Sequence, residues 1–123
     1  MKTIIAGSRD ILDYAIIEET MKMVNWEITE VVSGGAKGVD LMGETWASMH
    51  NIPARVFPAQ WNLFDESTGV KTFDKTAGFT RNGHMVDYAD CLIAIRKNKS
   101  NGTTDTIHKA LRKPMKFVFV RDI

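Results

Sequence analysis

The chain has 123 residues, 44% of them hydrophobic and 25% charged, the balance of an ordinary globular protein, and it is too short to divide into two self-supporting cores, so one domain over residues 1–123 is expected. Its one cysteine, Cys91, rules out an internal disulfide and, with three histidines, leaves no metal-ligand pattern. No apolar run reaches the roughly 18 residues of a membrane span, and Met1–Gly7 is interrupted too soon for a signal peptide, so a cytoplasmic protein without membrane contact is expected. The formal net charge of +1 implies no general attraction to polyanions, although residues 1–66 carry −5 and residues 67–123 carry +6.

In chain order, Lys2–Ala6 reads as a short buried strand centred on Ile4 and Ile5. A helix is predicted over Ile11–Val24, with Asp10 as its cap and Leu12, Ile16 and Met23 at helical spacing. Thr29–Ser33 is the second strand, Gly38–His50 the second helix, and Ala54–Phe57 the third strand, ended by Pro58. Residues 58–77 show no regular pattern, and a connection of that length in a small domain is usually functional or mobile. A helix over Thr80–Tyr88 leads to Cys91–Ile95, a strand nearly continuous in apolar residues, as burial on both faces requires. Arg96–Asn101 is a polar loop, Thr103–Arg112 a helix stopped by Pro114, and Met115–Val120 the last strand.

This alternation predicts an α/β fold: a Rossmann-like open parallel five-stranded sheet of order 3-2-1-4-5 with helices on both faces. Ligands of such sheets bind at the carboxyl ends of the strands where the order reverses. Three loops are brought there. The first holds Gly7, Ser8 and Arg9: a tight turn, a hydroxyl and a planar guanidinium suited to phosphate. The second is Ser33-Gly34-Gly35-Ala36-Lys37-Gly38-Val39-Asp40, where glycines free backbone N–H groups beside a helix N-terminus. It departs from the P-loop pattern because Lys37 is followed by Gly38. Asp40 either complements the helix dipole or accepts from a ribose hydroxyl. The third, Lys99-Ser100-Asn101-Gly102-Thr103-Thr104-Asp105, offers capping chemistry that also suits a phosphate. Arg81, followed by Asn82, is expected at the start of its helix, where the dipole disfavours a cation, so an anionic ligand would account for it. Trp61, in the irregular connection, either stacks on a base or packs locally.

Together these motifs resemble the SLOG superfamily, which joins the DprA/Smf DNA-processing proteins, the LONELY GUY (LOG) phosphoribohydrolases and YpsA-like proteins. Ser33–Asp40 is similar to the DNA-processing family's SGLARGID. Arg81 with Met85 falls on the LOG R-x-x-x-M, and Gly102-Thr103 on the GT of its PGGxGTxxE loop. The pairing of Phe57-Pro58-Ala59 and Trp61 with Ala77-Gly78 and Arg81-Asn82 most resembles the small stand-alone YspA-type, cpYpsA-related SLOG proteins. The resemblance implies a nucleotide-binding domain that forms a homodimer or larger assembly. Where LOG enzymes carry their glutamate, this chain has Thr106, and Asp105, one residue earlier, is turned by about 100° on a helix.

Three functions follow as expectations. The first is binding, sensing or sequestering a nucleotide-type small molecule, without cofactor or metal. The second is LOG-like hydrolysis of a nucleoside monophosphate, with Asp105 and Arg81 as candidate catalytic residues and Asp40 as the other available carboxylate. The third is single-stranded nucleic-acid binding, against which near-zero net charge and the lack of interleaved aromatics both speak.

Overall fold

The computed structural model describes residues 1–123. The elements in chain order are β1 (Lys2–Gly7), α1 (Tyr14–Met23), β2 (Glu30–Ser33), α2 (Val39–Met49), β3 (Ala54–Val56), β4 (Asn62–Asp65), β5 (Val70–Phe73), α3 (Ala77–Tyr88), β6 (Cys91–Arg96), α4 (Asn101–Arg112) and β7 (Phe117–Asp122). Five strands form one parallel sheet in the order β3-β2-β1-β6-β7. Counted within that sheet this is the expected 3-2-1-4-5, and the order reverses between β1 and β6.

The apolar runs of β1 and β6 explain their central place. Successive side chains point to opposite faces. On one face Ile4, Ala6, Val32, Leu92 and Ala94 pack with Met85 and Val86 of α3 and Ile107 and Ala110 of α4. On the other, Ile5, Val31, Ile93 and Ile95 pack with Ile17 of α1 and Val39 and Ala47 of α2. Helices therefore cover both faces. Each fully buried aliphatic side chain contributes about 1.5–3 kcal/mol. No helix is long and apolar enough to cross a membrane.

Several boundaries differ from the sequence expectation. Helix α1 begins at Tyr14 rather than Ile11, and its cap is Asp13, whose carboxylate accepts from the Ala15 N–H at 3.0 Å, not Asp10. Ile11 is instead a buried loop residue, Leu12 and Met23 are exposed, and the buried stripe of α1 is Ile17 and Thr20. Helix α3 begins at Ala77 and α4 at Asn101, three and two residues earlier than expected. The largest difference lies in residues 58–77, which contain an antiparallel hairpin pairing β4 with β5. All eight of its strand residues are exposed, so no burial imposes an apolar alternation that could be read from the sequence.

Candidate functional site

A cavity of about 460 Å³ opens at the carboxyl ends of β1 and β6, at the reversal of strand order. Gly7, Ser8 and Arg9 form one wall, Ala36 and Asp40 a second, Arg81 and Asn82 a third, and Lys97, Ser100, Gly102 and Thr103 the fourth. Three of the four walls come from the segments that join a strand to the first turn of the next helix; the wall of Arg81 and Asn82 belongs to α3.

The first turn of α4 leaves its backbone donors free. Ser100 makes no side-chain capping bond, no acidic residue stands in the first turn, and the first helical hydrogen bond runs from the Thr104 N–H to the Ser100 carbonyl at 2.9 Å. The N–H groups of Asn101, Gly102 and Thr103 have no intramolecular acceptor. A Cβ on Gly102 would meet no atom within 4 Å. Thr104 is turned toward Arg96, whose Nη1 donates to its hydroxyl at 3.1 Å.

Helix α2 starts beside the same cavity. Gly38, at φ +78°, is its cap, and a Cβ there would press on the carbonyl oxygens of Ser8 and Arg9. Only glycine fits both the left-handed backbone and that close approach. The Val39 N–H donates to the Ser8 carbonyl at 3.4 Å. Asp40 lies in the first turn with only 6% of its surface exposed, and its Oδ2 accepts from the Ala36 N–H at 3.2 Å. Burial pushes its carboxyl up to about 6; the Ala36 and Gly7 N–H groups and the Arg81 charge counter this in part, and Glu44 adds to it.

Arg81 is not at the start of its helix. It is the fifth residue of α3, so the dipole argument for its recruitment falls away. Its guanidinium donates from Nη1 to the carbonyl oxygens of Gly34 and Phe57 and from Nε to Asn82 Oδ1. Burial holds Arg81 below the usual arginine range, Asp40 opposes that shift, and the neighbouring Arg9 charge adds to it. Arg9 is exposed and makes neither an ion pair nor a hydrogen bond within the protein. Two guanidiniums thus stand close enough to repel at the rim of one cavity.

Asn82 is buried and fastens α3 to α4, its Nδ2 donating to the Gly102 carbonyl at 3.2 Å and to Asp105 Oδ2 at 3.1 Å. Asp105 does not line the cavity. Its Oδ2 also accepts from Lys109 Nζ at 2.6 Å, so it serves an i,i+4 ion pair. Thr106 does line the cavity, its hydroxyl donating to the Gly102 carbonyl at 3.2 Å. Helical spacing places Thr106 with Gly102 and Thr103 and sets Asp105 on the adjacent face.

The serines are committed to the scaffold. Ser8 Oγ accepts from the Lys97 N–H at 2.8 Å, joining the loops after β1 and β6. Ser33 is fully buried beneath the glycine-rich loop, where its Oγ accepts from the Gly35 N–H at 3.1 Å and donates to Glu44 Oε2 at 2.7 Å. Gly34, Gly35, Lys37 and Trp61 line an adjoining depression of about 610 Å³ that shares Arg9, Ala36 and Arg81 with the main cavity. The expected site residues are therefore gathered around two connected recesses, with Ser33, Gly38, Thr104 and Asp105 behind their walls. Lys97, Asn98, Ala36, Met85 and Thr106 also line the main cavity, although none is among the residues the sequence assigns to ligand binding. The signal for Lys97 was its place in the loop directly after the strand at the reversal.

Part of the basic surplus of residues 67–123 is engaged in intramolecular contacts. Arg96 pairs with Asp122 and Arg121 with Glu19. Lys113 donates to the carbonyls of Val86, Asp87 and Ala89 at the C-terminus of α3, where a cation suits the helix dipole.

A family model described as YspA, cpYpsA-related SLOG family matches residues 1–64, which hold the loop after β1 and the whole glycine-rich loop. No curated protein and no solved structure matches the chain.

Proposed function

The chain belongs to the YspA, cpYpsA-related SLOG family, and from the geometry at its strand-order reversal we propose that it binds a nucleotide-type molecule, sensing or sequestering it. The phosphate sits against the first turn of α4, with Arg9, Arg81 and Lys97 around it. The observation that carries this reading is the free first turn of α4. Three backbone donors lack acceptors and Gly102 leaves open space, in a cavity that also holds cations. Such an arrangement favours an anion through both the N–H groups and the helix dipole. Of the three, only Thr103 is buried; Asn101 and Gly102 are exposed, so an incoming anion can reach their N–H groups directly.

A second reading, hydrolysis of an N-glycosidic bond, is favoured by one observation: Asp40 is a buried carboxyl that lines the cavity and titrates near 6. Such perturbed groups in clefts are candidate acid–base residues. This moves the candidate carboxylate from Asp105 to Asp40.

The test of binding is mass spectrometry of small molecules released by heat from the purified protein, which should yield a phosphorylated nucleoside derivative. A chromatographic assay for free base, run on nucleoside monophosphates with the wild type and Asp40→Asn, separates the readings. Binding without base release is expected. Turnover lost in Asp40→Asn would establish the hydrolase instead.

A further inference from the structure

Resting on that binding reading, we infer that a separate slot beside the anion cavity, built from Trp61, Gly78 and Phe79, receives the planar heteroaromatic ring of the bound ligand. The slot has a volume of about 200 Å³, the scale of one ring system rather than a whole nucleotide. It shares Arg9, Arg81, Asn82 and Gly102 with the anion cavity, so one molecule can occupy both.

The aromatic walls are held in an unusual way. Trp61 stacks on Phe73 of β5, with ring centroids 6.0 Å apart and planes 14° from parallel. Its carbonyl accepts from the Asp74 N–H at 2.7 Å, just beyond the hairpin. A lone two-stranded hairpin is marginally stable in water, and this one buries none of its strand residues. These two contacts tie Trp61 to the hairpin, and its ring lines the slot. On the helix side, Gly78 brings the α3 backbone against the indole: a Cβ there would stand 3.1 Å from Trp61 Cη2. Phe79, the next residue, is 44% exposed, although a large apolar side chain gains by burial. Lys109 Nζ stands 5.7 Å from its ring centroid. Two aromatic side chains and a bare stretch of backbone, beside Arg9, Arg81 and Lys75, suit a flat, polarizable ring on which cations can also stack.

The slot and the anion cavity make separable contributions, so paired ligands test them. Titration calorimetry with AMP, ribose 5-phosphate and inorganic phosphate is run on the wild type, Trp61→Ala, Trp61→Phe and Phe79→Ala, each checked for folding by circular dichroism. Wild type should bind AMP about 10- to 100-fold more tightly than ribose 5-phosphate, the usual value of one base stack. Trp61→Ala should abolish that preference while ribose 5-phosphate affinity stays within about twofold; Trp61→Phe should keep part of it, and Phe79→Ala should reduce it in a protein whose hairpin anchor is intact. Equal affinity of the wild type for AMP and ribose 5-phosphate, or a preference that survives both alanine variants, overturns the slot and leaves the anion cavity standing. No binding of any of the three ligands overturns the binding reading itself.

Discussion

Arg81 donates to the backbone carbonyl of Gly34, so a side chain of α3 is fastened to the glycine-rich loop that follows β2. A Cβ on Gly34 would stand 2.7 Å from both Arg81 Nη1 and Asp40 Oδ2. The bare α-carbon of Gly34 is thus the spacer across which the cation and the buried carboxyl face each other. This relationship joins two chain segments far apart in sequence, residues 34–40 and α3, and places a cation, a carboxyl and a loop at one cavity.

Arg81 and Arg9 should respond differently to removal. Arg81→Ala leaves the Gly34 carbonyl without its donor, which costs about 1–3 kcal/mol of stability. It should also weaken binding of ribose 5-phosphate by about 1.5–3 kcal/mol. Arg9 has no protein partner, so Arg9→Ala should change stability by less than about 0.5 kcal/mol while weakening the same ligand. Urea unfolding and calorimetric titration, run on both variants, check the contrast.

Two glycines make opposite predictions. Gly34→Ala forces a methyl group between Arg81 and Asp40 and should destabilise the fold by about 1–3 kcal/mol. Gly102→Ala adds its methyl into open space in the first turn of α4, so stability should be unchanged or rise by up to about 1 kcal/mol. Ligand affinity should nevertheless fall, because the proposed phosphate site occupies that space. Thermal unfolding with and without ribose 5-phosphate reads both effects.

Asp40 predicts a pH dependence. Its carboxyl titrates near 6 in the folded protein against an ordinary 3.8. Between those values the folded state holds a proton that the unfolded state has lost, so stability should fall as pH rises from about 4 to about 6. The size is on the order of 2–3 kcal/mol. Asp40→Asn should flatten that slope and raise stability at pH 7, since an amide oxygen can still accept from the Ala36 N–H. Urea midpoints across that range test this; a slope that persists in Asp40→Asn would assign it to another group.

The sheet was legible because β1 and β6 are buried on both faces and must be apolar throughout, and because each helix presents one apolar stripe. The loops at the carboxyl ends were legible for the same reason, since strand order dictates which turns meet. Helix starts were less so: Asp10 and Asp13 are equally good caps by type, and only Asp13 makes the bond. The hairpin was invisible because Leu63, Phe64, Val70 and Phe73 are all exposed and alternate with nothing buried. That Thr106 rather than Asp105 faces the cavity follows from the turn of about 100° between successive helical residues and could be read from the sequence; the pairing of Asp105 with Lys109, one turn on, could not. Pairing across a helix face needs the register of that helix, which composition does not supply.

The binding reading stands or falls on a phosphate site where β1, β6 and the first turn of α4 converge. Titration of ¹⁵N-labelled protein with ribose 5-phosphate, followed by amide chemical shifts, tests it most directly. The amides of Ser8, Ala36, Gly102 and Thr103 should shift together and saturate with a single dissociation constant, and the response should disappear in Arg9→Ala combined with Arg81→Lys. Shifts confined to the far end of α4 around Arg112 and Lys116, or no saturable shift at Gly102 and Thr103, would contradict it.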